Sequence, residues 1–303
     1  MKAFLTGGSG FLGHHLAKEL VKQRIETIIY DICEPSGIPA GGNIRSLCTY
    51  IQGDVLDYEK ITDAMQGCDY VFHTAAIADV DQARKIPRKT MEVNVIGTTN
   101  CLDAAREAGV KRFLFASTVY VSGNRGSFYR LSKQTCESLC KTYHEEFGLE
   151  YTVLRYGSLY GREPNHWNFI YGVCKSLLKT GEFTYSSSPE AVREYIHIND
   201  AARETVRIAS DRQFANKAIL ITGHQRMKMR EFFDMVQEIL GTEIKIHYTP
   251  SGNNPHYIIT PYTFDIDVPV RVNLSTYVDI SEGILDCLKQ VKKELDNDKN
   301  VQE

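Results

Sequence analysis

Short apolar runs and amphipathic stretches alternate along the first half of the chain. Lys2 to Leu5 is an apolar run, and after a glycine-rich stretch Leu12, Leu16, Leu20 and Val21 recur at helical spacing through Phe11 to Gln23. Glu26 to Ile32, Thr49 to Gln52, Tyr70 to His73, Arg112 to Ser117 and Tyr151 to Arg155 read as further strands. Helices are expected around Tyr58 to Met65, from Arg88 to Glu107, and from Tyr129 to about Phe147. Strands alternating with helices predict an α/β fold with a doubly wound parallel sheet. From Gly161 the alternation loosens into loops, the pieces Glu194 to Ile198 and Ala218 to Ile221, and helices near Met229 to Leu240 and Ile280 to Glu294. This predicts two units: residues 1–160, and a smaller C-terminal lobe over 161–303 from which some chain returns to the first. No internal repeat is evident.

Composition narrows the function. With 35 Lys plus Arg against 38 Asp plus Glu, a net charge of −3 and no basic block, nucleic acid is not the expected partner. No apolar run reaches the ~20 residues that span a bilayer, and the chain enters Lys2-Ala3-Phe4 with no charged-then-apolar leader, so a cytoplasmic protein without membrane attachment is expected. The eight cysteines include no Cys-x-x-Cys pair, which indicates neither a zinc site nor a disulfide framework. Cys136 and Cys140 share a helix face and read as packing residues, with a redox role as the other reading. His14 and His15 are adjacent, do not share a helix face, and are not expected to bind metal; no metal site is expected at all.

Candidate chemistry begins at Gly7-x-x-Gly10-Phe11-Leu12-Gly13, between a strand and a helix, where glycines allow a tight turn and the approach of a pyrophosphate to the helix N-terminus. Tyr30-Asp31 closes the next strand eighteen positions after Gly13, where a carboxylate holds the adenosine ribose hydroxyls and repels a 2′-phosphate. NAD is therefore favoured over NADP. Asp54 and Val55 after the third strand, and Thr74, Ala75 and Ala76 after the fourth, lie at strand ends that would face adenine and the nicotinamide ribose. A helix cap is the other reading of Asp54.

Downstream, Tyr129-Arg130-Leu131-Ser132-Lys133 places a phenol and an ammonium four residues apart on one helix face. A free tyrosine titrates near ~10, and bringing it near ~7 takes about 3 units, or ~4 kcal/mol. Lys133 and an oxidised nicotinamide are the expected sources.

These motifs occur in order with His73-Thr74-Ala75-Ala76, Val93-Asn94-Val95-x-Gly97-Thr98, Phe115-Ala116-Ser117-Thr118, Leu154-Arg155-Tyr156-x-x-x-Tyr160-Gly161 and Arg193-Glu194-Tyr195-Ile196-His197-Ile198-Asn199-Asp200. The chain so resembles the extended short-chain dehydrogenase/reductase superfamily, in its nucleotide-sugar epimerase/dehydratase branch, over residues 1 to about 210. The resemblance implies a Rossmann-type sheet, bound NAD, a nucleotide-diphosphate-sugar substrate and a homodimer through the helices bearing Tyr129 and Asn94. It implies Thr118 as the hydroxyl on the reacting sugar oxygen, Tyr129 as general base and acid, and Lys133 as anchor of the nicotinamide ribose. Tyr156 joins the cofactor contacts; so does Asn94, for which a purely structural role stands equally. Ser158, Arg193, Tyr257 and Arg271 are the expected substrate contacts beside Thr118. Arg193 would meet the diphosphate, against the alternative of a salt bridge with Glu194 or Asp200.

Sugar-nucleotide 4,6-dehydratases follow the catalytic threonine with an Asp-Glu pair, where this chain has Val119-Tyr120. That disfavours dehydration and leaves C4 epimerisation as the expected activity. A keto-sugar reductase, a dehydrogenase of 3β-hydroxysteroid type and a non-catalytic dinucleotide sensor are the alternatives. Three departures from the family pattern stand out. Thr118 and Tyr129 are only eleven positions apart, Gly157-Ser158 replaces an aromatic-Asn pair, and the late arginine and Gly-Asp signature is missing, with Arg271 as candidate replacement. Asn165-His166-Trp167 and His256-Tyr257 fall in loops that could touch base or sugar, with lobe packing as the other reading of Trp167.

Overall fold

A computed structural model describes residues 1–35, 47–165, 167–249, 255–261 and 269–300. Its centre is an all-parallel sheet of eight strands. In chain order these are β1 (Lys2–Thr6), β2 (Glu26–Asp31), β3 (Cys48–Gln52), β4 (Tyr70–His73), β5 (Arg112–Thr118), β6 (Tyr151–Tyr156), β11 (Lys217–Ile221) and β14 (Val270–Arg271). Their spatial order is β3-β2-β1-β4-β5-β6-β11-β14, so the winding reverses between β1 and β4. Such a switch point opens a crevice beyond the carboxyl ends of the strands, where ligands bind.

Helices cover both faces. On one, α1 (Phe11–Lys22) and α8 (Ile198–Ser210) bury Leu16, Leu20, Ala201 and Val206 against Leu5, Ile29, Phe72 and Ile219. On the other, α2 (Tyr58–Met65), α5 (Gly97–Glu107) and α6 (Ser127–Phe147) pack Ile61, Leu102 and Cys136 against Phe4, Val71, Phe113 and Phe115. Both faces being covered explains why these strands read as continuous apolar runs.

The expected helix over Arg88 to Glu107 is interrupted. After α3 (Val80–Lys85) and α4 (Pro87–Met91) comes a π-helical turn, Glu92–Ile96, before α5. Asn94 in that turn is buried, and its amide bridges Ile77 N at 2.8 Å, Ile77 O at 3.1 Å and Ser132 Oγ at 2.9 Å. The extra residue in the turn lets one side chain tie the exit of β4 to the helix of Tyr129 and Lys133.

The smaller lobe holds α7 (Phe169–Thr180), α9 (Met229–Leu240) and α10 (Ile280–Asn300) around Tyr160, Val173, Phe232 and Ile284. Three two-stranded pairs complete it: β7 (Ser158–Tyr160) with β10 (Tyr195–His197), β8 (Glu182–Tyr185) with β13 (Lys245–Tyr248), and β9 (Val192–Arg193) with β12 (Met227–Lys228). Ala218 to Ile221, assigned to this lobe from sequence, instead runs beside β6 in the main sheet, because its apolar side chains are covered on both faces.

Candidate functional site

The glycine loop is shaped by close packing. A side chain at Gly7, which has φ +71°, would put its Cβ 2.5 Å from Ala75 N, and one at Gly13 would meet Gly7 O at 2.1 Å. The N-cap of α1, Gly10, makes no side-chain cap, which leaves the first-turn N–H groups open to receive an anion. Asp31 ends β2 beside this loop, its carboxylate accepting from Ser9 N at 2.9 Å and Cys33 N at 3.0 Å. Thr74 lies at the loop's edge, donating to Thr6 O at 2.7 Å. An open helix start, glycines that no Cβ can replace and a carboxylate at the second strand's end fit NAD.

At the neighbouring strand ends, Thr118 closes β5 and accepts from Tyr120 N at 3.3 Å, so it caps a 3-10 turn, Val119–Ser122. It is also hydrogen bonded to Tyr129, in the first turn of α6. Lys133, one turn on, is buried and donates to Ala116 O at 2.7 Å, with its ammonium 4.6 Å from the Phe115 ring centre and 6.0 Å from that of Tyr129. Burial pushes the Tyr129 phenol up to about 12, against the Thr118 bond that lowers it, and pulls Lys133 down to about 8. The lowered phenol expected from sequence is therefore not a property of the protein alone. Behind them His73, pulled to about 3 by burial and then by the Lys133 charge, bridges Thr6 Oγ1 at 2.7 Å and Thr98 Oγ1 at 3.0 Å as a neutral ring.

The third part lies in the smaller lobe. Arg193 on β9 is buried, with its guanidinium 4.4 Å over the Tyr257 ring, donating to Val192 O at 2.9 Å and Tyr185 Oη at 3.4 Å. Among the described residues no carboxylate pairs with it. Glu194 is taken by Arg226 and Arg271, and Asp200 by Arg203, which disposes of the salt-bridge reading. The Tyr257 hydroxyl is hydrogen bonded to Ser158. A buried arginine wrapped in tyrosines, with no carboxylate partner among the described residues, has the chemistry to receive an anion.

One cavity of about 540 Å³ joins the three parts, lined by Gly7, Gly10, Phe11, Leu12, Gly13, Thr74, Ala76, Thr118, Tyr129, Lys133, Tyr156, Ser158, Arg193 and Tyr257 among the residues singled out from sequence. Asp31, Asp54, Val55, Ala75, Asn94 and Arg271 stand outside its wall. Asp54 caps no helix: it accepts from Leu56 N at 3.0 Å in the turn before α2, whose N-cap is Asp57, and Val55 is packed against Gly97. Tyr156 offers its ring only, since its hydroxyl meets Thr205 Oγ1 at 2.5 Å. Arg271 is a correction: it donates to Gly223 O at 2.6 Å and Glu194 at 3.2 Å, so it replaces no second phosphate arginine. Asn165, Trp167 and His256 line the cavity; His166 lies outside the described residues.

Sequence reasoning missed Tyr185, Phe183 and Asp81, which also line the cavity. The alternation Phe183-Thr184-Tyr185 gave a strand signal with no chemical one. His14 and His15 hold the loop after β7, at Glu163 (3.2 Å) and Arg162 O (3.1 Å), and His15 also meets Asn199 of α8 at 3.1 Å. Cys136 and Cys140 are buried thiols whose pKa burial raises. Among the described residues, no three His, Cys, Asp or Glu gather as metal ligands, and no helix is long and apolar enough to cross a membrane.

A dinucleotide crevice at the switch point of a doubly wound sheet, with a threonine, a tyrosine and a lysine at its catalytic edge, defines an oxidoreductase-type α/β enzyme acting on a carbinol or carbonyl. The model of the NAD dependent epimerase/dehydratase family matches residues 3–222, and the chain belongs to that family. It is 25% identical to a putative UDP-glucose 4-epimerase of Methanocaldococcus jannaschii over 92% of this chain and 95% of that one. It is 28% identical to a dTDP-glucose 4,6-dehydratase of an Actinoplanes strain over 67% of this chain and 71% of the relative. Among solved structures, the UDP-glucuronic acid 4-epimerase of Bacillus cereus in complex with UDP-glucuronic acid and NAD superposes with a TM-score of 0.83 at 24% identity, covering 97% of this chain and all of that one.

Proposed function

We propose that the chain is an NAD-dependent nucleotide-diphosphate-sugar epimerase, acting at C4 through a transient 4-keto sugar. The carrying observation is the continuous cavity that runs from the glycine loop past the Thr118–Tyr129 pair to a buried Arg193 that no carboxylate among the described residues pairs with. NAD, when bound, supplies a reversible hydride acceptor. Thr118 orients the sugar oxygen, Tyr129 takes and returns its proton, and Lys133 holds the nicotinamide ribose while its charge favours the phenolate. Arg193 receives the diphosphate. Against dehydration stands the absence of a carboxylate at Val119 and Tyr120; among the described residues only Asp79 and Asp81 bring carboxylates to the cavity.

The assembly we infer is a homodimer through α5 and α6, supported by exposed Ile96, Phe128 and Leu131 on or beside those helices. Eight free thiols suit a reducing, cytoplasmic setting. The test is incubation of purified protein, without added cofactor, with a panel of UDP- and GDP-sugars, followed by proton NMR. New C4 epimers without accumulating NADH support the reading; stoichiometric conversion of added NAD or NADH moves the chain to a dehydrogenase or reductase.

A further inference from the structure

Beside the pair described above stands a second set of titratable groups that the epimerase chemistry leaves unused. Tyr120 follows Thr118 by two residues, and its ring lies edge-on to that of Tyr129 with centroids 6.4 Å apart. The Tyr120 hydroxyl is 2.7 Å from His256 Nδ1, and His256 Nε2 is 3.8 Å from a carboxylate oxygen of Asp81. Tyr120, His256 and Asp81 all line the cavity. Exposure rises along the row from a half-buried Tyr120 to 37% at the His256 side chain and 61% at Asp81, so its outer end is in water.

The segment bearing His256 is fixed in place. Gly126 N donates to Pro255 O at 2.9 Å, Val192 N to Ile258 O at 2.8 Å, and Tyr257 packs edge-on to Tyr120 with centroids 5.0 Å apart. Burial lowers the pKa of His256, and with Asp81 facing Nε2 the neutral tautomer protonated there leaves Nδ1 to accept from the phenol; Asp81 and Asp79 favour the imidazolium and Arg193 opposes it. The order hydroxyl, imidazole, carboxylate is that of a proton relay.

Building on the 4-epimerase reading, we propose that Tyr120, His256 and Asp81 form a second proton-transfer chain, which exchanges with solvent the hydrogen on a carbon adjacent to the keto group of the sugar. Once C4 is a carbonyl, the C–H bonds at C3 and C5 become acidic. Breaking one leaves its electron pair as an enolate on the C4 oxygen, which Thr118 and Tyr129 face. The carbon's proton goes to the Tyr120 oxygen as the phenol's own proton passes to His256 Nδ1, giving an imidazolium beside Asp81. While the enolate persists, the protons on the imidazolium nitrogens and on the Tyr120 oxygen exchange with water of the cavity, so that the reverse path delivers a solvent-derived proton to carbon. No further oxidant or reductant is required.

The experiment uses full-length, NAD-loaded protein in D2O with two probes: UDP-glucose, and dTDP-4-keto-6-deoxyglucose, which supplies the ketone directly. The result expected is deuterium at C3 or C5 of the recovered sugar, with the original hydrogen retained at C4 of epimerised UDP-sugar. The ratio of exchange to C4 turnover, and the exchange rate from the keto probe, fall on the order of 100-fold in Tyr120→Phe and in His256→Gln, as for removal of a positioned acid–base group. Thermal melts confirm that each variant is folded, and His256→Gln tests the chain on a partly exposed side chain should Tyr120→Phe prove unstable. Exchange from the keto probe with no turnover of any nucleotide sugar keeps this inference and removes the 4-epimerase reading. Absence of deuterium from both probes, or exchange undiminished in a folded variant, overturns the inference.

Discussion

Tyr129 cannot act as a base at neutral pH until a positive charge is brought to it, and this has a measurable size. Burial, opposed by the Thr118 bond, places the phenol at about 12 before the charge of Lys133 acts on it. Reaching about 7 takes about 5 units, or roughly 7 kcal/mol. A unit charge about 5 Å from the phenol oxygen, at an effective dielectric of about 20, contributes about 3.3 kcal/mol, or roughly 2.4 units. One charge therefore leaves the phenol near 10, and two bring it near 7. Lys133 is one source, but its ammonium is engaged with Ala116 O and is itself pulled down to about 8. The nicotinium ring is the other. The assay is a pH titration of phenolate absorbance, taken as the difference between wild type and Tyr129→Phe, for protein alone, with NAD and with NADH. The expected order is a Tyr129 midpoint near 10 in the protein alone and with NADH, whose reduced ring is uncharged, and near 7 with NAD. A midpoint near 7 without cofactor, or the same midpoint with NAD and NADH, refutes the reasoning.

Three further predictions follow from distances and burial. Gly13→Ala drives a Cβ to 2.1 Å from Gly7 O, so the loop must open and NAD affinity falls by at least about 100-fold, read by calorimetric titration. Arg193→Met removes charge-assisted hydrogen bonds worth about 1.5–3 kcal/mol and weakens UDP binding roughly 10- to 150-fold, while the thermal melt stays near wild type because no carboxylate among the described residues loses a partner. His15 and His73 are held by burial at about 4 and about 3, below the usual 6.5. The unfolded chain therefore binds more protons between about pH 3 and 6.5; stability is full above that window and falls as pH descends through it, and a melting temperature series should flatten in His73→Gln.

Which parts were legible from sequence follows from how locally each is encoded. The strands of the main sheet and the helices α1, α2 and α6 are written in contiguous periodic stretches, and the glycine loop, Asp31 and the Tyr129–Lys133 spacing carry chemistry within a few residues of one another. The π-helical turn at Glu92–Ile96 left no such trace, because it exists to let Asn94 reach Ile77 and Ser132 from a third element. Lys217–Ile221 was misplaced for a related reason: a short apolar run is equally at home in a lobe or in a sheet, and only its pairing with β6 decides. Arg271 looked available as a phosphate ligand because its partner, Glu194, lies 77 positions away in sequence.

The substrate half of the site depends most on such distant contacts. Tyr257 bonds to Ser158, lies under Arg193 and packs on Tyr120, while its neighbour His256 reaches Tyr120 from the other side. Residues 255–261 thus join Arg193 to the Thr118–Tyr129 end of the cavity, through bonds and ring contacts with Gly126, Val192, Ser158, Arg193 and Tyr120 that lie away from the glycine loop and Asp31. Cofactor binding and sugar recognition are therefore separable by mutation. A change at Tyr257 should alter which sugar nucleotide is accepted through the position of Arg193 and Tyr120, whereas the same change leaves unaltered the packing of Gly7 against Ala75 and Gly13 against Gly7 on which the dinucleotide cradle depends.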